Sequence, residues 1–403
     1  MKILHITHND MDAVGCDVVL RVRYRKDDIT TKFCSIGSQD DIIKNEINNM
    51  VKSLEKDPKF EPYELIVVSD LSIRPETYYA IDGYLKEVVQ KNTPYRGAFI
   101  GFDHHETNNM NEITSDFIVE KERLDPLTKE IIPISATKLM YMYYSETIKR
   151  ANSALFIVDF DHFVNSVSRY DTWVWKNNTK VVDAYTEKYR SELDEMGYKN
   201  REIVIYPDNF YSVICNKYGC TDLSNKIITK IGDNREKYLA NGYVSFLYPQ
   251  EFVNIYEMEA KEQERTGKKA VQSVKFIIKN EYIVGLYIPN GKFSNNVIGP
   301  LYENFPFVDY WEIYFPANKE ISFRSNLDDV NVSRIAQRLY GGGGHKSASG
   351  AKNIPNETFL KLMKEFYEGS VPANILKEYE KKNQEKVTEL GYYKTISYLM
   401  GDK

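Results

Sequence analysis

The chain is poor in cysteine and has no surplus of basic residues. Its four cysteines, Cys16, Cys34, Cys215 and Cys220, are scattered over 403 residues, which excludes a disulfide-stapled secreted scaffold and points to the cytoplasm. Cys215 and Cys220 form a lone C-x₄-C pair with no second pair downstream, so two ordinary thiols are expected there instead of a tetrahedral zinc site. Lys and Arg number 53 against 58 Asp and Glu, a net charge of -5. That balance argues against tracking long nucleic acid on a basic surface, yet leaves a short anionic substrate open. No stretch approaches the ~18 apolar residues of a membrane span. Met1–Thr7 runs straight into polar His8–Asp12, so no signal peptide is expected.

What is present suggests two domains, since 403 residues exceed the ~100–200 of an ordinary single core. Lys2–Thr7, Glu64–Ser69 and Gly97–Phe102 are short apolar runs bounded by polar residues, the signature of buried parallel strands. Between them Ile42, Ile43, Ile47 and Val51, then Tyr79, Ile81, Tyr84, Leu85 and Val88, recur at helical spacing. The alternation predicts a doubly wound α/β domain with a mostly parallel sheet. A helix is expected over Ser135–Arg150, followed by the aromatic segment Tyr170–Trp175 and a polar, tyrosine-rich rear extension to residue 255. The charge-dense run Glu257–Lys269 suits a linker or hinge helix over 256–270. From 271 to 370 the pattern turns strand-rich, with Val274–Lys279, Tyr282–Ile288, Val308–Phe315 and Glu320–Arg324, and predicts a smaller α+β domain. Val332, Ile335, Ala336 and Leu339 define a helix capped by Asn331 and ended by Gly341. A peripheral helix or tail is expected over 371–403.

The chemistry-bearing residues cluster where strands should end. In His8-Asn9-Asp10-Met11-Asp12, residues i, i+2 and i+4 of an extended chain project to one side, so one imidazole and two carboxylates converge; a solvated loop is the bland alternative. Asp70 follows the second strand and Asp103 the third, at the sheet edge where α/β folds bind ligands. Asp103-His104-His105 would, if extended, send its two imidazoles opposite ways, one to a metal and one to a substrate. Asp171 sits among aromatic residues, where an unpaired charge is costly to bury. Crowded carboxylates repel and take up protons unless cations lie between them. Oxygen-rich ligation with some imidazole favours Mn²⁺, with Mg²⁺ or Co²⁺ as alternatives, over zinc. Downstream, Gly341-Gly342-Gly343-Gly344-His345-Lys346-Ser347-Ala348-Ser349-Gly350 matches neither a Walker A loop nor a dinucleotide fingerprint. Glycine backbone there can approach an anion, with His345, Lys346 and the strand-end Arg324 as further donors.

Taken together these motifs resemble the DHH phosphoesterase superfamily with its DHH-associated C-terminal domain, over roughly Met1–Trp175 and Val274–Gly350. His8, Asp10 and Asp12 match the family's first motif, Asp70 the second, Asp103-His104-His105 the third, Asp171 the fourth, and Gly342–His345 with Ala348-Ser349-Gly350 the C-terminal signature. The resemblance implies two Mn²⁺, one held by His8, Asp10 and Asp70, the other by Asp12, Asp70, His104 and Asp171, with Asp70 bridging. It makes His105 and Asp103 the catalytic pair, Asp103 supporting the site and His105 facing the scissile phosphate. It assigns substrate contacts to Arg324, Gly342, Gly343, Gly344, His345 and Lys346. Within the superfamily the HNDMDAVGC opening, the length and the YDTW segment look most like the B-type nano-RNases. These are cytoplasmic oligoribonucleases that act on short RNA, with 3′-to-5′ polarity favoured and a homodimer compatible. The alternatives are a cyclic (di)nucleotide phosphodiesterase, an adenosine 3′,5′-bisphosphate phosphatase, and an inactive nucleotide- or RNA-binding module.

Overall fold

The structure, a computed structural model, describes residues 1–368 apart from 58, 93–96, 106–107, 198–203, 240–244, 281, 290–296 and 328. It divides into two compact units, Met1–Tyr256 and Glu257–Lys403. The expected terminal helix or tail over 371–403 lies outside the described residues.

In the first unit the apolar runs become strands because both their faces are buried. Strands β1 (Lys2–Thr7), β2 (Asp28–Phe33), β3 (Leu65–Ser69), β4 (Ala98–Asp103) and β5 (Phe117–Val119) form one sheet in the order β2-β1-β3-β4-β5. Every pairing is parallel. Side chains alternate between two cores. Ile3, Leu65, Val67 and Phe102 face one, and Leu4, Ile6, Ile66, Val68 and Phe99 the other, as the period of two requires. Helices α1 (Met11–Arg23), α2 (Gln39–Lys56), α3 (Pro75–Tyr84) and the short α4 (Gln90–Asn92) alternate with the strands. Strand order 2-1-3-4-5 reverses direction between β1 and β3, and in such sheets the crevice beyond the carboxyl ends of those strands is the natural ligand site.

After a small hairpin, β6 (Glu122–Leu124) and β7 (Ile131–Pro133), the rest of this unit is helical: α5 (Ala136–Arg150), α6 (Ala154–Asp171), α7 (Val174–Asn177), α8 (Thr179–Glu195), α9 (Phe210–Tyr218) and α10 (Cys220–Leu239). The expected aromatic segment Tyr170–Trp175 thus runs from the end of a further helix, α6, through a turn at Thr172–Trp173 into α7; Phe156, Phe160 and Phe163 of α6 are buried. Helix α11 (Gln250–Val271) contains the charge-dense run and crosses the boundary between units.

The second unit carries β8 (Lys275–Lys279), β9 (Tyr282–Tyr287), α12 (Ile298–Asn304), β10 (Tyr310–Phe315), β11 (Glu320–Arg324), α13 (Val332–Tyr340), β12 (Gly343–Gly344), β13 (Ala348–Ala351) and α14 (Asn356–Glu368). Its six-stranded sheet has the order β12-β13-β11-β10-β9-β8. It is mixed, with β9 and β10 parallel and the other pairings antiparallel. Helix α13 begins where the capping signal placed it, the Asn331 side chain accepting from Arg334 N–H, and ends on Gly341 at φ +66°, a left-handed position that favours glycine. Among the described residues no helix is long and apolar enough to cross a membrane.

Candidate metal centre

Each acidic residue at the sheet edge is fixed by a different local device. Asp10 is the N-cap of α1: its Oδ1 accepts from Ala13 N–H, while its Oδ2 lies 2.9 Å from His8 Nδ1. The chain already bends at Asn9 and Asp10 before the helix begins, so the extended form expected over His8–Asp12 is not kept. Asp12 sits in the first turn of α1, so the helix and not an extended chain aims it. Its two carboxylate oxygens accept from the N–H groups of Ala136 and Thr137 at 2.8 and 3.0 Å, the unpaired amides at the N-terminus of α5. Thr137 also donates its hydroxyl to Asp12 O. A Cβ on Gly15 would lie 2.2 Å from Thr137 Oγ1, so the close approach of α1 and α5 that brings those amides to Asp12 requires glycine there.

Asp70 adopts φ +56°, uncommon for a residue with a Cβ although Asp tolerates it better than most. Its N–H still reaches Phe102 O at 2.8 Å, so the main chain stays tied to β4 while it turns at the strand end. Asp70 Oδ2 is buried without a hydrogen-bond partner among the described residues.

Asp103, fully buried, organises the two histidines that follow it. Its Oδ1 accepts from His104 N–H and from His105 Nδ1 at 2.8 and 2.7 Å, and its Oδ2 accepts from the Asn108 amide. That clamp ties the His104 main chain and the His105 ring to one carboxylate. The two imidazoles do not point opposite ways: their ring centroids are 4.8 Å apart, and both face Asp70 Oδ1, His104 Nε2 at 3.3 Å and His105 Nδ1 at 3.9 Å. Asn108, and the Ala136 and Thr137 amides, escaped the sequence reading. The polar Ser135 cap of α5 marks the helix start but not the carboxylate it serves.

Asp171 ends α6. Its Oδ2 lies 3.4 Å from His104 Nε2, which also stands 3.5 Å from Asp12 Oδ2. Two triads result, His8 with Asp10 and Asp70, and Asp12 with His104 and Asp171, each with potential ligand atoms within 4.8 Å of one another. The six residues expected as metal ligands are thereby brought to one place.

The electrostatics are those of a cluster whose carboxylates outnumber its imidazoles: although burial opposes both charges, His8 holds Asp10 well below the carboxylate range and is itself raised to about 11 by Asp10 and Asp70. Burial, then the neighbouring Asp70, pushes the Asp12 carboxyl up to about 6. Burial with Asp12, Asp10 and Asp70 raises Asp171 well above the carboxylate range. His105 moves the other way: burial opposes its charge, but Asp103 outweighs that and raises it to about 9. These residues fit divalent cations, because oxygen donors with some imidazole are what hard cations prefer and cations would relieve both the repulsion and the Asp70 Oδ2, which has His8 Nδ1 at 3.7 Å but no hydrogen bond among the described residues.

In the second unit the glycines are mostly explained by backbone geometry. A Cβ on Gly342 would lie 2.1 Å from Gly350 O, and Gly344 has φ +138°. Gly343 alone of the three has open space around it. His345 N–H donates to Ala348 O at 2.7 Å, making the run a tight β12–β13 hairpin. Arg324 Nη1 donates to Ser322 Oγ, Phe323 O and Ser349 O, so the guanidinium is braced across its own sheet. Lys346 is exposed, its carbonyl accepting from Val332 N–H. The C-x₄-C thiols are buried and free, 3.6 Å apart.

No protein-family model matches the chain. Among curated proteins it is 24% identical to oligoribonuclease NrnB of Bacillus subtilis (strain 168) over 364 residues, 90% of this chain and 75% of that one. Among solved structures, exonuclease RecJ bound to manganese aligns with a TM-score of 0.49 at 14% identity, over 90% of this chain and 88% of that one. The pGpG-specific phosphodiesterase PggH from Vibrio cholerae aligns at 0.39 with 14% identity, over 90% and 96%. Five motifs thus stand in the order that the DHH phosphoesterase superfamily has, four of them meeting at the β1/β3 switch point, and the chain is similar to oligoribonuclease NrnB along nearly its whole length.

Proposed function

We propose that the chain is a metal-dependent phosphodiesterase that degrades short oligoribonucleotides to mononucleotides, working from the 3′ end. The observation that supports this most is the meeting of four aspartates and two histidines at the switch point, with Asp12 and Asp171 both raised by burial and by neighbouring carboxylates, Asp70 first for Asp12 and Asp12 first for Asp171. The substrate class follows from the likeness to NrnB and from the net charge of -5, which offers no long basic track.

In this reading His8, Asp10 and Asp70 hold one Mn²⁺, and Asp12, Asp70, His104 and Asp171 the other, with Mg²⁺ or Co²⁺ as substitutes. Such a pair supplies Lewis acidity at a phosphoryl centre and a nucleophile from water at neutral pH. The protein's own residues do the rest. The α5 amides hold Asp12 in one orientation, and the left-handed turn at Asp70 aims its carboxylate at both triads. Asp103 fixes the His105 ring through Nδ1 and favours its protonated form, so His105 presents a proton through Nε2 to a phosphoryl or leaving oxygen. Arg324, Gly342, Gly343, Gly344, His345 and Lys346 contact the substrate's phosphates.

The test is kcat/KM against RNA length, from dinucleotide to twenty-mer, with 5′- and 3′-labelled substrates in Mn²⁺ and in excess chelator. Rates should be highest at two to five nucleotides and vanish in chelator. A rate that climbs steadily to twenty-mers overturns the short-oligomer reading, and full activity in chelator overturns the metal-dependent one. Turnover of cyclic dinucleotides or adenosine 3′,5′-bisphosphate faster than of any RNA moves the substrate class.

A further inference from the structure

The first unit also holds a cavity of about 360 Å³ bounded by the β6–β7 hairpin and by α5, α6 and α8. That volume lies in the ~300–1,000 Å³ range of small-molecule sites. Nothing in the reaction proposed above uses it.

Its walls are apolar, with Leu124, Ile134 and Met142 among them, and its charged groups are unusual in their pairing. Lys138, on α5, donates from Nζ to Asn165 Oδ1 at 2.6 Å and has no carboxylate within 4 Å among the described residues. Arg169, only 4% exposed, spends Nε and Nη2 on Asp208 at 2.7 and 2.6 Å. Its Nη1 is buried with no hydrogen-bond partner among the described residues. Both cations lie beside the Tyr185 ring, Lys138 Nζ at 6.0 Å and the Arg169 guanidinium at 5.4 Å from its centroid. Asp125, the one carboxylate lining the cavity among the described residues, is already occupied: Oδ1 accepts from Leu127 N–H, Thr128 N–H and the Thr128 hydroxyl, and Oδ2 from Tyr185 OH. With Arg169 balanced by Asp208, the cavity keeps the ammonium of Lys138 and one unmet guanidinium donor. Asp161 and Asp125 favour the charge on Lys138 only from beyond 4 Å, and burying such groups without a close counter-charge is unfavourable. Burial indeed lowers Lys138 to about 8.

We propose that this cavity binds a small organic anion, its negative head at Lys138 Nζ and Arg169 Nη1 and its apolar body along Leu124, Ile134 and Met142. The head is a phosphate monoester or a carboxylate, since both offer oxygens to an ammonium and a guanidinium N–H. The site is separate from the metal centre, although the same helices serve both: α5 gives amides to Asp12 and Lys138 to the cavity, and α6 gives Asp171 and Arg169.

The experiment is calorimetric titration of the full chain carrying Asp70→Asn, in excess chelator, so that phosphate binding at a loaded metal centre does not contribute. The probes are 1-naphthyl phosphate and 1-naphthoate, with neutral 1-naphthol and inorganic phosphate as controls. At least one naphthyl anion should bind 1:1, and which one binds tighter identifies the head group. Naphthol and phosphate should each bind at least about tenfold more weakly. Lys138→Gln should weaken the anion about tenfold, and so should Leu124→Glu, placed on the exposed hairpin and expected to fold. If Lys138→Gln fails to fold, Leu124→Glu decides. Absence of saturable binding by either anion, equal binding of naphthol, or unchanged affinity in the folded variants overturns the proposal.

Discussion

Asp12 and Asp17 lie five residues apart on α1, and both are 1% exposed, yet the protein treats them in opposite ways. Asp17 accepts from Arg21 Nε at 2.9 Å, from the Thr31 and Ser224 hydroxyls, and faces His5 Nδ1 at 3.4 Å. Burial alone would raise its carboxyl, but His5 and Arg21 hold it well below the usual range. Among the described residues Asp12 receives two amides and no cationic side chain except His104, and the like charges that raise it are those of Asp70 and Asp10. The difference teaches how to read buried charge. A carboxylate whose counter-charges come from its own chain serves the fold; one oriented by dipoles and crowded by like charge awaits a cation from outside.

The contrast breaks first if Asp70→Asn behaves as an ordinary buried substitution. Phosphodiesterase activity should fall by at least about 10³-fold, while the urea midpoint of the metal-free protein stays level or rises because a like charge is gone. A drop in stability comparable to that of a satisfied carboxylate would erase the distinction. Next, His105→Gln should slow turnover by about 10²–10³-fold with metal content retained, whereas His104→Gln should lose metal; elemental analysis of both purified variants separates them. On the other side of the comparison, Asp17→Asn should cost about 3 kcal/mol of stability by denaturant unfolding, because it leaves buried donors and Arg21 unmatched, with metal content unchanged.

Metal addition sharpens the same point in one measurement. Mn²⁺ at a hundred times its dissociation constant should stabilise wild type by about 2.7 kcal/mol. Thermal unfolding should show that gain preserved in Asp17→Asn and lost in Asp70→Asn. The smallest effect concerns a third buried titratable group, His162, which stacks on Tyr189 and pairs with Tyr248 OH at 3.0 Å. Burial pushes it down to about 3, so the folded state holds it neutral. Its contribution is present above the unfolded pKa near ~6.5 and lost as pH falls through that value towards the folded one, by up to about 1.4 kcal/mol per pH unit. His162→Gln should flatten that acid limb, measured as the pH dependence of the denaturant midpoint between pH 7 and 5.

Much of the fold could be read in advance where burial is two-sided. The apolar runs of β1, β3 and β4 are short and bounded, five or six residues being too few for a buried helix but enough for a strand covered on both faces. β2 escaped notice because its sequence, DITTKF, is a half-exposed edge with a weak apolar pattern. Helix α6 was obscured because it is buried nearly all round, which removes the one-sided stripe that marks a helix. The residue types of the metal centre were legible from their positions after strands. Their aiming was not: the Asp12 orientation depends on amides 124 and 125 residues away, and the placing of His104 and His105 on hydrogen bonds to the Asp103 carboxylate.

Gly15 carries that dependence into the range of sequences the chain can accept. The missing Cβ lets a helix from the start of the chain lie against one that begins 121 residues further on. Any side chain at position 15 would move Thr137, and with it the two amides that fix Asp12. The distance of a residue from the reacting atoms is therefore a poor guide to its freedom: Gly15 offers no donor, acceptor or charge, and its substitution would still misdirect a carboxylate of the centre.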